Sequence, residues 1–149
     1  MLPETDIRQI GILGDGCAAM SLAARADELP GFRVTIYQPD DRPAPADHIW
    51  GFWTAPHLER AAKLAFASWQ NWKIVSENGA VTMTAQARPY HAMRRSTWMA
   101  HCHDAAKAAK VGYHSLPPRS NDPATIFLDS RPPKAVSYTH LRAHETLLY

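Results

Sequence analysis

Residues 10–19 read Ile-Gly-Ile-Leu-Gly-Asp-Gly-Cys-Ala-Ala, and this segment restricts the fold more than any other part of the chain. The apolar run Ile7 to Leu13 predicts a short strand, and the Ala-rich run Cys17 to Leu29 predicts a helix. Between them stands Gly14-Asp15-Gly16-Cys17-Ala18-Ala19, a G-x-G-x-x-A pattern at a strand-to-helix turn. Each small residue there has a physical task. Gly14 can adopt the backbone angles of a tight turn. Gly16 leaves the backbone open to a pyrophosphate. Ala19 lets helix and strand pack closely. The helix start then aims unpaired N–H groups, those of Cys17 and Ala18 among them, and its positive dipole end at the phosphates. Pro30-Gly31 stops the helix, and Arg33 to Tyr37 predicts a second strand, completing a βαβ unit. The expected fold class is α/β, with a Rossmann-like dinucleotide-binding sheet.

Bulk properties narrow the function classes. The chain has 149 residues, enough for about one domain, and a formal charge of +2. Its longest basic run is Arg94-Arg95, so no nucleic-acid footprint is visible. The N-terminus carries two acids and no apolar segment, unlike a signal peptide. No run approaches the roughly 20 apolar residues of a membrane span. Cys17 lies inside the glycine turn and far in sequence from Cys102, which speaks against a disulfide framework and for a reducing compartment.

The last residues are set apart. Val136 to Thr146 resembles one reading frame of a sequencing-library adapter, the transposon end used in tagmentation, and Ala135 fits the codon this adapter would complete. The natural sequence is therefore expected to span residues 1–134, with 135–149 a foreign, disordered tail. His140, His144 and Glu145, which otherwise have metal-ligand spacing, fall away with it.

Downstream of the second strand, Gln38 occupies the place where a dinucleotide site usually has an acid for the adenosine ribose, with Asp40 and Asp41 just beyond. After a Pro-rich loop comes Asp47-His-Ile-Trp-Gly-Phe-Trp53. Two readings stay open: a strand edge or lid with core aromatics, or a wall over a flat apolar ring system. Thr54 with Pro56 predicts the start of a helix over His57 to Ser68. Trp69 to Val75 and Ala80 to Thr84 predict a hairpin turning at Glu77-Asn78-Gly79. Tyr90 to Met93 predicts a short strand, and Ser96 is placed to cap a helix over Thr97 to Lys110, whose apolar face is Trp98, Cys102, Ala105 and Ala109. His101 and His103 flank that face on nearly opposite sides, so they cannot share a metal. Val111 to Leu116 and Thr125 to Leu128 predict two more strands. Asp129 and Arg131 follow the last one, where open α/β sheets bind ligands, and Asp129 is suited to a ribityl or ribose hydroxyl or to a salt bridge with its neighbour.

Together these segments resemble the bacterial lycopene cyclases, a flavoprotein family. The resemblance rests on Gly14-Asp-Gly-Cys-Ala-Ala19, on Asp47-His-Ile-Trp-Gly-Phe52 beside that family's Asn-His-Thr-Trp-Ser-Phe, on Ser68-Trp-Gln-Asn-Trp-Lys-Ile74 with Tyr90 to Trp98, and on Leu128-Asp-Ser-Arg-Pro132 beside Ile-Asp-Gly-Arg-Gly. Departures are Gln38 for an acid, Asp47 for Asn and Ser130 for Gly. The resemblance implies the N-terminal part of a Rossmann-like FAD/NAD(P)-binding domain. It implies FAD as cofactor, kept reduced by NADPH or NADH, with Gly14, Gly16, Cys17, Ala18, Gln38, Asp129 and Arg131 as cofactor-binding residues. It further implies acid-initiated cyclisation of lycopene ends to β-rings without net redox change. The family's proposed acid lies further downstream, so the fragment is expected to be inactive by itself. The carotenoid substrate implies a bacterial enzyme, cytoplasmic or peripheral on the cytoplasmic membrane. Another FAD-dependent oxidoreductase or monooxygenase shares the fingerprint and is the alternative.

Overall fold

A computed structural model describes residues 7–40, 46–118 and 125–131. Four strands form a parallel sheet: β1 (Arg8–Leu13), β2 (Phe32–Gln38), β8 (Gly112–Ser115) and β9 (Thr125–Asp129), in the order β8-β2-β1-β9. Counting only these strands along the chain, the order is third, second, first, fourth, as in a Rossmann half-sheet. The register aligns Ile12 with Ile36 on one side and with Leu128 on the other. The predicted βαβ start is present, as the Rossmann-like α/β fold requires.

The first helix, α1 (Cys17–Ala23), is shorter than the sequence suggested. A tight 3-10 turn, Ala26–Glu28, completes the predicted span. That turn lets Ala26 and Leu29 pack against the core while Arg25 and Glu28 pair in solvent. Helix α3 (Arg95–Ala108) lies beside α1 and supplies Met99, Cys102 and Ala106 to the core. These meet Ala19, Met20 and Ala23 of α1 and Ile12, Val34 and Ile36 of the sheet. Small residues on both helices allow this close approach, and Trp98 Nε1 donates to Ser21 Oγ at 2.9 Å across the two helices. The buried stripe of α3 is centred on Met99-Cys102-Ala106, with the predicted Trp98, Ala105 and Ala109 at its margin.

Between β2 and α3 the chain builds a second unit. Strands β3 (Ile49–Trp53), β4 (Ala67–Trp69) and β7 (Tyr90–Arg94) form an antiparallel sheet in the order β3-β7-β4. Strands β5 (Asn71–Ser76) and β6 (Gly79–Thr84) form the hairpin, closed through Ser76↔Gly79. Gly79 has φ +138°, a backbone conformation open to glycine where the chain leaves the turn.

Three expectations are corrected here. The helix over His57 to Ser68 is only the 3-10 turn Pro56–Leu58 followed by α2 (Glu59–Lys63). Ala61 is the one buried residue of α2, so a longer helix would have little to bury. Phe66 N–H instead donates to Ala92 O at 3.0 Å and Ala67 pairs with Ala92, which draws the chain into β4. Thr54 is not a cap: its hydroxyl donates to Pro89 O at 3.1 Å. Ser96 is not the cap of α3 either, because the helix begins one residue earlier, at Arg95, and makes no local side-chain cap.

Candidate dinucleotide site at the switch point of the sheet

The parallel strands run from β1 outward to β2 and β8, then return to β9 on the other side of β1. Such a reversal opens a crevice beyond the carboxyl ends of the two strands. Gly14 stands there. Its N–H donates to Tyr37 O at 2.8 Å, and its φ is +101°. A Cβ at this position would lie 2.9 Å from Ser130 Oγ and 3.2 Å from Arg131 Cγ. Glycine is thus required twice, by backbone angle and by crowding. Ser130 locks the turn from the opposite strand, donating from N and Oγ to Leu13 O at 3.0 and 2.9 Å.

Gly16 is different. It precedes α1 in an extended conformation, and no described atom lies within 4 Å of where its Cβ would be. Cys17 and Ala18 are exposed beside it, while Ala19 is buried against the sheet. Cys17 Sγ lies 3.9 Å from Ser21 Oγ. The first bond within the helix is Met20 N to Gly16 O, so the preceding amides point out of the helix start. No side chain caps α1 and no acid stands in its first turn. The surface is therefore open and favourable to an anion. Asp15 is buried within the turn.

Gln38 ends β2, half-buried, and its carbonyl accepts from Leu116 N at 2.9 Å. Asp40, beyond it, accepts a hydrogen bond from Ser115 Oγ. Asp41 lies outside the described residues. On the other side of the crevice, Asp129 and Arg131 form a two-point ion pair, Nε to Oδ1 at 2.8 Å and Nη2 to Oδ2 at 2.6 Å. The backbone N–H of Arg131 adds a third bond to Asp129 Oδ1 at 3.0 Å. Donation from this guanidinium, reinforced by the backbone N–H, lowers the Asp129 carboxyl to about 2. The geometry shows the salt-bridged loop, with the Asp129 carboxylate kept ionised at the crevice mouth. The structure brings Gly14, Gly16, Asp129 and Arg131 to the carboxyl ends of adjacent strands, with Gln38 one strand further out.

The aromatic segment Asp47 to Trp53 becomes the edge strand β3 of the antiparallel sheet. Phe52 stacks near His91, with centroids 5.3 Å apart, while Trp53 meets Tyr90 and Trp72. His101 and His103 share no metal cluster, and none exists among the described residues. His140, His144 and Glu145 lie outside them, as do all residues of the adapter-like tail. On the concave surface between α1, α3 and Pro56–Leu58, Glu28 pairs with both Arg25 and Arg60. No helix among the described residues is long and apolar enough to cross a membrane.

The sequence reading missed one polar unit. His91 is buried between Ser68 Oγ, 3.0 Å from Nδ1, and Thr54 Oγ1, 2.8 Å from Nε2. A lone His in an apolar strand opposite two hydroxyl residues was the available signal, but it depends on the register of three strands.

Solved structures with the same fold include the tetrameric form of 2-methyl-3-hydroxypyridine-5-carboxylic acid oxygenase, 20% identical with a TM-score of 0.53. A Y270A mutant of that oxygenase is 19% identical with a TM-score of 0.55. CtdE in complex with FAD and a substrate is 17% identical with a TM-score of 0.50. Each match covers 72% of this chain, which spans 31%, 31% and 30% of those proteins in turn. At these identities the likeness establishes the fold. No curated protein matches the chain. The family described as "Lycopene cyclase protein" matches residues 9–116, most of the sequence and all of the crevice-forming strands except β9, and the chain belongs to that family.

Proposed function

We propose that this chain forms the FAD dinucleotide site of a flavin-dependent lycopene cyclase, which closes the linear ends of lycopene into β-ionone rings. The observation that carries the reading is the Gly14 to Gly16 turn at the switch point of the sheet, in a chain of the lycopene cyclase family. The residues present fit a dinucleotide. Gly14 could not carry a side chain without meeting Ser130, and Gly16 leaves the approach to the α1 amides clear. The backbone of Gly16, Cys17 and Ala18 holds the pyrophosphate. Gln38 hydrogen-bonds the adenosine ribose, more weakly than a carboxylate would. Asp129, kept ionised by Arg131, takes a ribityl hydroxyl. When bound and reduced by NADPH or NADH, the flavin supplies an electron-rich ring that stabilises positive charge on the cyclising substrate. This chain's residues would hold and orient that cofactor. Lycopene conversion is assigned to the whole enzyme, cytoplasmic or peripheral on the cytoplasmic membrane of a bacterium.

Titration of the chain with FAD, followed by flavin fluorescence, tests the cofactor. Saturable binding is expected, weakened at least about tenfold by Gly16→Val. Absence of saturation rejects the site. Carotenoid analysis of lycopene-accumulating cells carrying the uninterrupted gene tests the reaction. New β-rings are expected, and an oxygenated product would favour the oxidoreductase alternative instead.

A further inference from the structure

A second group of reactive side chains lies away from the dinucleotide turn, in the β3-β7-β4 sheet. Ser68, on β4, is exposed, whereas His91, opposite it on β7, is buried. Strand β4 is an edge of the sheet, so Ser68 meets solvent on its open side. Ser68 Oγ lies 3.0 Å from His91 Nδ1. Beyond the ring, Nε2 lies 2.8 Å from Thr54 Oγ1, which in turn lies 3.1 Å from Pro89 O. Phe52 flanks the imidazole, with centroids 5.3 Å apart and planes at 32°.

The hydrogens in this chain of groups run in one direction. Pro89 O only accepts, so the single Thr54 hydroxyl hydrogen goes to it. Thr54 then turns a lone pair to the ring, and Nε2 carries the ring proton. Nδ1 keeps its lone pair and takes the Ser68 hydroxyl hydrogen. The reverse tautomer would aim Nδ1–H at Ser68, and the serine could not pass a proton to it. An exposed hydroxyl on a ring nitrogen, with the other ring nitrogen held by a third group, meets the geometric conditions for an activated nucleophile.

The surroundings of Ser68 narrow the electrophile. Phe66 and Trp69, on either side along the chain, are 57% and 47% exposed. Apolar surface beside the hydroxyl favours an uncharged ester with an apolar acyl group over a charged one. An edge strand also turns alternate backbone N–H groups away from its neighbour, and these are donors for an oxygen that gains charge during attack.

We propose that Ser68 is a nucleophile that takes the acyl group of an uncharged carboxylic ester, with His91 as its base and Thr54 as the residue that positions the ring. In the step, Ser68 Oγ bonds to the ester carbonyl carbon and its proton passes to His91 Nδ1. The bond from that carbon to the alcohol oxygen breaks, and the proton moves on to the departing oxygen. An acyl-serine and a free alcohol result, with no change in oxidation state. The step is separate from the cofactor reading and needs neither FAD nor lycopene.

The test treats the full chain with p-nitrophenyl butanoate, follows release of p-nitrophenol and locates the acylated peptide by mass spectrometry. The butanoyl group is expected on Ser68, formed about a hundredfold faster than on Ser76, an exposed serine whose hydroxyl donates to the Gly79 carbonyl. Ser68→Ala should remove the fast release. Thr54→Val keeps the side-chain shape but loses the acceptor for Nε2–H, and should slow acylation at least about tenfold, while Thr54→Ser restores it. Thermal melts show which variants stay folded. The proposal is overturned if Ser68 in the folded parent reacts no faster than Ser76, a comparison that stands even where Thr54→Val unfolds. It is also overturned if folded Thr54→Val reacts as fast as the parent. An adduct on His91 in place of Ser68 would make the ring itself the nucleophile and overturns the assignment of Ser68.

Discussion

Asp47 accepts a hydrogen bond from the backbone N–H of Ser96 at 2.8 Å, across a separation of 49 residues. The neighbouring His48 carbonyl accepts from Arg95 N at 3.0 Å. Helix α3 thus has no cap of its own, and the residues leading into β3 satisfy two of its open amides. The N–H and hydroxyl of Ser96, with Arg94 nearby, hold the Asp47 carboxyl below the ordinary carboxylate range. Asp47→Ala should lower the melting temperature by about 2–8 °C, and Asp47→Asn by less, because an amide oxygen still accepts. The sign with pH follows from the lowered value. The contribution of Asp47 is complete above the unfolded carboxylate pKa and is lost as pH falls through the lower folded value. Thermal melts of parent and Asp47→Ala should therefore converge as pH falls below the ordinary carboxylate range.

Gly14 and Gly16 should separate stability from binding. Gly14→Ala forces a side chain into a φ of +101° beside Ser130 and should destabilise the chain by about 1–3 kcal/mol in urea titration. A Cβ at Gly16 meets no described atom within 4 Å, so Gly16→Val should lower the urea midpoint less than Gly14→Ala does, while weakening FAD. Equal effects of the two substitutions on stability would contradict the geometry.

The proton positions around His91 are set by a carbonyl. Thr54 Oγ1 donates to Pro89 O at 3.1 Å, so it must accept from His91 Nε2. Neutral His91 is therefore the Nε2–H form, and Nδ1 accepts from Ser68 Oγ. Nitrogen-15 spectra of the ring should show this tautomer. Ser68→Ala removes a partner from a buried ring and should cost about 1–2 kcal/mol.

Lys110 ends α3 in the left-handed region, with φ +58°. Val111 N reaches back to Ala106 O at 3.0 Å and Lys110 N to Lys107 O at 3.1 Å, the two bonds of a Schellman ending. Glycine is the usual residue there. Lys110→Gly should stabilise the chain by about 1 kcal/mol, visible as a higher urea midpoint at unchanged slope.

Cys102 is fully buried, and burial pushes its thiol up to about 11, while Cys17 is exposed at the glycine turn. Alkylation at pH 8 should modify Cys17 rapidly and Cys102 only after unfolding. Peptide mass mapping with and without denaturant checks this, and rapid labelling of Cys102 in the native chain would contradict the packing of α3.

The dinucleotide turn was legible because its signals are local: apolar run, glycines, alanines and a stop at Pro30-Gly31 follow one another. The hairpin was legible for the same reason, although its two turn residues are Glu77 and Asn78, with Gly79 already paired to Ser76. The helix over His57 to Ser68 was misjudged because Ala67 to Trp69 prefer a strand partner, β7, that lies more than twenty positions away along the chain. The contacts of Trp53 and Trp69 with Tyr90 were not legible for a related reason, because these rings lie on strands whose spatial order, β3-β7-β4, differs from their order in sequence.

The amino-acid sequence by itself determined the parallel βαβ start and the Gly14 to Gly16 turn, since each is written in spacings of a few residues. Only the tertiary structure decided which group caps α3, what closes over Gly14 and what holds His91. Those roles fell to Asp47, Ser130 and Thr54, which bond Ser96, Leu13 and His91 across 49, 117 and 37 positions. Hydrogen-bond partners at such separations are set by strand register and sheet order. A two-residue periodicity along one strand says which side chains share a face, but not which distant strand will lie beside it.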